Sequence, residues 1–291
     1  MPSVLLATCS DLPTGDEDAE VLTAALTRLG VTSRWVAWTD QDAQWDAALV
    51  VLRSTWDYTR DRTSFLDWVG NVARLANDAS VVAWNTDKTY LRDLAAAGVP
   101  TVESAFAAPG EPVEFPDAAE FVLKPSVGAG SRGAGRFTAD RIVAARAHVA
   151  ELHTAGRTVL VQPYLDAVET SGETALIYFD GRFSHAIRKG PMLPDGVVHP
   201  VDGWELYVEE IIAARTPDTA QLAVGDAALA AVQARFGQEP LYARVDLLPG
   251  PHGPVVTELE LTEPSLFLLY DHPEHGGAAA DRFAAAIAKR A

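Results

Sequence analysis

Apolar residues fall along this chain in two alternating rhythms. "SVLLAT" at 3–8, "SRWVAW" at 33–38 and "AALVVLRS" at 47–54 are short runs of strand length, and continuous apolar runs of that kind suit strands covered on both faces. Between the first two, Val21, Leu22, Ala25, Leu26 and Leu29 recur at helical spacing and Gly30 supplies a stop. "SFLDWVGNVARLA" at 64–76 reads as a second helix and "SVVAW" at 80–84 as a further short strand. Strand and helix in alternation predict a parallel sheet with helices on its faces. Ligands on such sheets bind beyond the carboxyl ends of the strands. Two loops therefore matter, "CSDLPTGDED" at 9–18 and "RSTWDYTR" at 53–60, and the second offers Arg53, Ser54, Asp57 and Tyr58 as substrate contacts.

From residue 85 the pattern changes. "NTDKTYLRDLAAAGVP" reads as a helix capped at Asn85 or Thr86 and ended by Gly98 and Pro100. "PGEPVEFPDAAE" at 109–120 looks like an exposed connection into a new subdomain. Next, "FVLKPSVGAGSRGAGRF" carries Gly128, Gly130 and Gly133 in the G-x-G-x-x-G spacing, a weak signal for a dinucleotide fold unless a helix starts at the last glycine. Here "RFT" reads as a second strand, so the segment predicts a glycine-rich hairpin, and a helix follows at 139–153 with Thr138 as its cap. Such a hairpin can fold backbone N–H groups over phosphates, with Ser131 and Arg132 as added donors and Lys124 as a point charge. "TVLVQPYL" at 158–165 is a strand whose edge can meet an adenine ring, and "TALIYFDGRFSHAIRKG" at 174–190 reads as two strands joined by the Asp180-Gly181 turn.

Composition narrows the partners. At 291 residues the chain is long enough for two or three subdomains. A net charge of −17 repels nucleic-acid backbones and anionic membranes, so an anionic ligand needs a local basic cluster or a metal ion. The adjacent Arg188 and Lys189 form such a pair and can neutralise a phosphate or a carboxylate. No apolar run is long enough to span a bilayer, and the N-terminus lacks the pattern of a signal peptide, which leads us to expect a cytoplasmic protein. The single cysteine, Cys9, fits a reducing compartment and reads as a buried thiol. His185 reads as a structural histidine, and His199, His252, His272 and His275 show no metal-ligand spacing.

"PVVTELELTEPS" at 254–265 places Glu258, Glu260 and Glu263 within six positions at the end of an apolar run. On a strand, Glu258 and Glu260 share a face roughly 6.8 Å apart. Like charges held together need a cation. The preceding strand "LYARVDLL" carries Arg244 and Asp246 on one face, and the return through "PGPHGP" brings Asp246 opposite the two glutamates. Three hard oxygen ligands without Cys or His favour Mg²⁺ or Mn²⁺, as one ion or two, over zinc.

With these residues in place the chain resembles the ATP-grasp superfamily over most of its length. The resemblance implies an α/β (α+β) fold of three parts, a Rossmann-like pre-ATP-grasp subdomain (1–85), a central lid subdomain (86–165) and a C-terminal antiparallel-sheet subdomain (166–291). It implies ATP as the nucleotide. Lys88 and Lys124 resemble the two ATP lysines, residues 128–135 the phosphate-covering loop, Gln162, Pro163, Tyr164 and Leu165 the adenine hinge, and Glu173 the ribose acid. Asp246, Glu258 and Glu260 resemble the metal ligands, and Arg244 the arginine that steadies a tetrahedral intermediate. Two positions depart from the pattern: Pro163 stands where Glu is usual, and Glu260 where Asn is common.

The phrases "LRSTWDY", "NTDKTYL", "GETALIYF", "SHAIRKGP", "LYARVDL" and "ELELTEPSLF" are similar to a narrower group. It is the glutathione-synthetase-like actinobacterial proteins that include the D-cycloserine-forming O-ureidoserine cyclo-ligase. The resemblance implies a carboxylate–amine ligase for a small amino-acid-like substrate, with Arg188 and Lys189 offsetting phosphoryl charge. Competing readings are an intermolecular amino-acid ligase, a kinase, and an ATP-binding protein without turnover. Homodimers are common in similar proteins.

Overall fold

The computed structural model describes residues 2–191, 193, 196–200, 211–271 and 278–291. His272 and His275 lie outside them. The apolar runs of the first 54 residues form β1 (Ser3–Thr8), β2 (Thr32–Ala37) and β3 (Leu49–Ser54), a parallel sheet in the order β2-β1-β3. Helix α1 (Ala19–Arg28) buries Leu22, Ala25 and Leu26, as the spacing predicts, and Gly30 follows at φ 72°.

Three elements differ from the expected pattern. Helix α2 (Arg62–Asn71) stops short, and Leu75 pairs in parallel with Val50. The place beside β3 is thus already occupied by residues 74–76, through Val50 N–H to Arg74 O and Ala76 N–H to Val50 O. "SVVAW" is left to form α3 (Ala79–Asn85), with Val81, Val82 and Asn85 buried. Helix α4 (Tyr90–Ala96) starts after Thr89 rather than Asn85 or Thr86. Asn85 instead spends its amide on backbone: Nδ2 donates to Leu259 O at 2.7 Å and Oδ1 accepts from Leu261 N–H at 2.6 Å.

The second layer is a four-stranded antiparallel sheet in the order β4-β7-β5-β6, from β4 (Ala105–Ala107), β5 (Glu120–Pro125), β6 (Gly135–Thr138) and β7 (Val159–Pro163). The glycine-rich hairpin is confirmed, since β5 and β6 pair antiparallel from Glu120↔Thr138 to Leu123↔Gly135. Helix α5 (Ile142–Thr154) covers this sheet through Ala145 and Leu152, Thr138 makes no side-chain cap, and the short helix α6 (Val168–Ser171) follows β7.

The third layer is a five-stranded antiparallel sheet in the order β10-β9-β8-β11-β12. Its strands are β8 (Glu173–Phe179), β9 (Arg182–Lys189), β10 (Ile212–Arg215), β11 (Tyr242–Gly250) and β12 (Gly253–Glu260). Asp180 and Gly181 take positive φ, 51° and 71°, the backbone that a tight two-residue hairpin requires. One face packs Leu176, Tyr178, Val245 and Leu259 against α7 (Thr219–Phe236) and α4. The other packs Ile177, Phe179 and Tyr242 with α1 and α8 (Ala279–Arg290) over Leu6 and Val51. The last helix therefore returns to the first sheet.

Candidate active site

A cleft of about 680 Å³ is lined by the two antiparallel sheets and by the loops after β1 and β3 of the first sheet, inside the ~300–1,000 Å³ range of small-molecule sites. Its floor is the end of the five-stranded sheet. Antiparallel register sets Asp246 opposite Glu258 and Arg244 opposite Glu260, and carboxylate oxygens of Asp246, Glu258 and Glu260 lie within 4.8 Å of one another. These are the three ligands expected from the i, i+2 spacing and the returning strand.

Four cations surround the trio. Lys88 Nζ is 2.7 Å from Glu258, Lys189 Nζ donates to Asp246 at 2.8 Å, and Arg244 binds Asp246 at 2.9 Å and Glu260 at 2.6 Å. Lys189 also contacts Glu173, the expected ribose acid. Burial opposes ionisation at Asp246, but Arg244 and Lys189 override it and hold its carboxyl below the usual range. Burial likewise opposes Glu258, and Lys88 and Lys124 pull it low. At Glu260 burial wins over Arg244, and the neighbouring carboxylates add to the rise. Lys124, buried in the cleft wall, is held below its ordinary value because desolvation outweighs the pull of Glu258. Lys88 stays above its own because Glu258 outweighs burial.

The glycine loop forms the roof. Gly128, Gly130, Ser131 and Arg132 line the cleft, and Gly130, Ser131 and Gly133 take positive φ of 61°, 58° and 68°. Lys88 Nζ donates to Gly128 O at 2.8 Å, tying the loop to the acidic floor. At the far wall Gln162, Pro163, Tyr164 and Leu165 line the cleft. The Arg136 guanidinium lies 3.6 Å from the centre of the Tyr164 ring, whose hydroxyl donates to Glu169.

Five expected positions are corrected. Arg188 turns to the opposite side of β9 from Lys189, because neighbours on a strand alternate, and donates to Ser171 O and Thr170 O. Arg132 donates from its guanidinium to Trp56 O at 3.1 Å and Thr59 Oγ1 at 2.6 Å, in the loop after β3. Arg53 is fully buried, and a buried guanidinium persists only where acceptors meet it: it donates to Pro264 O and Asp16. Ser54 bonds the Thr8 hydroxyl, and Asp57 accepts from Trp38 Nε1. Of the four expected substrate contacts only Tyr58 lines the cleft.

The remaining wall of the cleft is built by residues that the sequence did not single out one by one. Asp16, Glu17 and Asp18 come from the loop after β1, Trp56 from the loop after β3, and Glu263, Phe267 and Tyr270 from the segment after β12. Glu263 is pushed up to about 8 by burial and by Glu260, and its carboxyl bonds the Tyr58 hydroxyl. Both loops stand at carboxyl ends of parallel strands, so topology carried the signal although no motif did. Cys9 and His185 are buried; His185 Nε2 donates to Leu266 O at 2.9 Å and Nδ1 accepts from Ser184.

The geometry has close relatives. A family profile for the N-terminal domain of D-cycloserine synthetase DcsG matches residues 4–77. The cycloserine biosynthesis protein DcsG of Streptomyces lavendulae is 40% identical over 292 aligned positions, covering 94% of each chain. The chain belongs to the D-cycloserine synthetase family of ATP-grasp ligases. Superposition on the crystal structure of D-cycloserine synthetase DcsG gives a TM-score of 0.87 at 38% identity, covering 99% of both chains. The fold extends to D-alanine–D-alanine ligase of Bacillus anthracis, solved with ATP, at TM-score 0.65 and 15% identity over 99% of this chain and 97% of that one. The protein is thus a ligase of mixed α/β architecture, and among the described residues no helix is long and apolar enough to cross a membrane.

Proposed function

We propose that this ligase uses ATP to activate the carboxylate of a small amino-acid-like substrate of the O-ureidoserine type and closes it into cycloserine. The observation that carries this reading is the meeting, in one cleft, of the Asp246–Glu258–Glu260 trio with Lys88, Lys124, Lys189 and Arg244 under a glycine hairpin. The 40% identity to DcsG supports the substrate class.

The donor set fits Mg²⁺, because three carboxylates supply hard oxygens and leave room for water and phosphate. Asp246, Glu258 and Glu260 would hold it. A bound ion supplies Lewis-acid compensation of phosphoryl charge. Lys124 and the loop amides at 128–133 take the phosphates, residues 162–165 the adenine and Glu173 the ribose. A substrate carboxylate oxygen attacks the γ-phosphorus, the bond to ADP breaks, and an acyl phosphate forms. The substrate nitrogen then attacks the acyl carbon and loses its proton, Arg244 binds the oxyanion, and inorganic phosphate leaves; the ring nitrogen still carries the ureido carbamoyl group, which water removes as carbon dioxide and ammonia to give cycloserine. Such preorganised charge is usually the largest catalytic contribution. The wall of Trp56, Tyr58, Glu263 and Asp16 replaces Arg53, Ser54 and Asp57 as the group that selects the acid.

The test is Mg²⁺-dependent release of ADP and phosphate against a panel of amino acids including O-ureidoserine, with Glu258→Ala as control. Release of both products with O-ureidoserine, with cycloserine formed and the control silent, is the expected result. ADP with a stable phosphorylated product would identify a kinase. Products only when two amino acids are supplied would identify an intermolecular ligase.

A further inference from the structure

The turn at 56–60 is gripped from two sides. From the lid, Arg132 donates to Trp56 O and Thr59 Oγ1, and Arg157 donates to Thr59 O at 3.0 Å. From the floor, the Glu263 carboxyl bonds the Tyr58 hydroxyl, and Glu263 O accepts from Trp56 Nε1 at 2.9 Å. The same turn contributes Trp56 and Tyr58 to the cleft wall. Arg132 stands in the glycine loop between Ser131 and Gly133, both at positive φ, and its guanidinium joins that loop to the turn.

We propose that Arg132 is a positioning residue that latches the phosphate-covering loop to the substrate-binding turn, so that nucleotide binding orders Trp56 and Tyr58. The inference rests on the ligase reading above, in which residues 128–133 cover ATP phosphates. It departs from that reading in giving Arg132 no phosphate to bind. Its two acceptors belong to a loop more than 70 residues away in sequence. Arg60 and Arg157 lie close enough to depress the guanidinium's proton affinity further after burial has lowered it. Three cations gathered at one place repel, which disfavours the closed loop unless the turn supplies its acceptors.

The experiment is hydrogen exchange of the full chain, with and without MgAMPPNP, on wild type, Arg132→Ala and Thr59→Val. In wild type the nucleotide should slow exchange both at 126–134 and at 56–60. In Arg132→Ala it should slow exchange at 126–134 alone, with nucleotide affinity within about twofold of wild type. Thr59→Val, which removes one acceptor and leaves the loop untouched, should weaken protection at 56–60 to an intermediate degree. Persistence of protection at 56–60 in Arg132→Ala overturns the latch, as does a tenfold or larger loss of nucleotide affinity, which would make Arg132 a phosphate ligand. Wild type that binds MgAMPPNP without protecting 56–60 overturns the latch and leaves the ligase reading standing. Wild type that binds no nucleotide overturns both.

Discussion

Glu258 and Glu260 show how much a single spacing can carry. Two residues apart on a strand, they had to share a face, and the register of β11 with β12 set Asp246 and Arg244 opposite them. Replacing Glu258 by Gln keeps the shape but removes a ligand charge. We expect ADP release to fall by about 10²–10³-fold, the usual loss for one preorganised charge, and partial recovery at high Mg²⁺ would trace the loss to metal binding. Arg188 and Lys189 give a sharper comparison. Lys189→Met removes the cation between Glu173 and Asp246 and should cost at least 10²-fold in kcat/KM. Arg188→Met acts on two exposed carbonyl contacts and should stay within about threefold. Steady-state kinetics of the pair checks both. Adjacent identity in the sequence said that a positive pair was present, and only strand alternation said which member faces the cleft.

At the scale of elements, buried side chains fix what hydrogen-bonded ladders leave open. Asn85 joins α3 to the end of β12 and to the residue after it, directly beside Glu260. Asn85→Ala leaves a buried carbonyl and a buried amide without this partner, and urea unfolding should show a loss of about 2–4 kcal/mol. His185, in β9, pins the 265–267 turn that carries Ser265 and Phe267 into the cleft. Burial, its main cause, pushes the His185 pKa down to about 4 from an ordinary 6.5. The folded state therefore holds the neutral ring while the unfolded chain takes up a proton, so this residue's stability contribution is lost as pH falls from about 6.5 towards 4. Compared with the non-titrating His185→Gln, wild type should lose on the order of 2 kcal/mol of unfolding free energy between pH 7 and pH 5. Equal pH slopes in the two proteins would contradict this. The hairpins, α1 and α5 were legible because their periods and turn residues agree. "SVVAW" was not, since β-branched residues favour strands and only the occupancy of the place beside β3 by residues 74–76 excludes it.

Over the whole molecule, the cleft exists because three sheets converge and the chain's two ends return to one core. Helix α8 packs with α1 and Phe283 stacks on Phe179 at 4.7 Å, so the first and third layers are held as one body around Arg53. Its guanidinium ties Asp16 to Pro264 and thereby both sides of the substrate wall. A nucleotide bridging the lid sheet and the acidic floor should stabilise the assembly by mass action, roughly 2.7 kcal/mol at a hundredfold excess over Kd. MgATP should raise the unfolding temperature by several degrees in thermal denaturation. ATP without Mg²⁺ should raise it less, because the acidic floor then repels the phosphates.

The sequence by itself determined the alternating first sheet, the glycine hairpin, the two-strand carboxylate face and the lysines around it. Each of these depends on local periodicity, turn chemistry or a spacing along one strand, which are properties of neighbouring residues. The tertiary structure alone decided that Arg53 is a buried tie, that Arg132 reaches the turn at 56–60, and that Glu263, Trp56 and Asp16 meet in one wall of the cleft. Those outcomes depend on which distant acceptors a side chain meets after the layers pack. Long charged side chains take the partners that burial leaves within reach, and no periodicity in the chain records them.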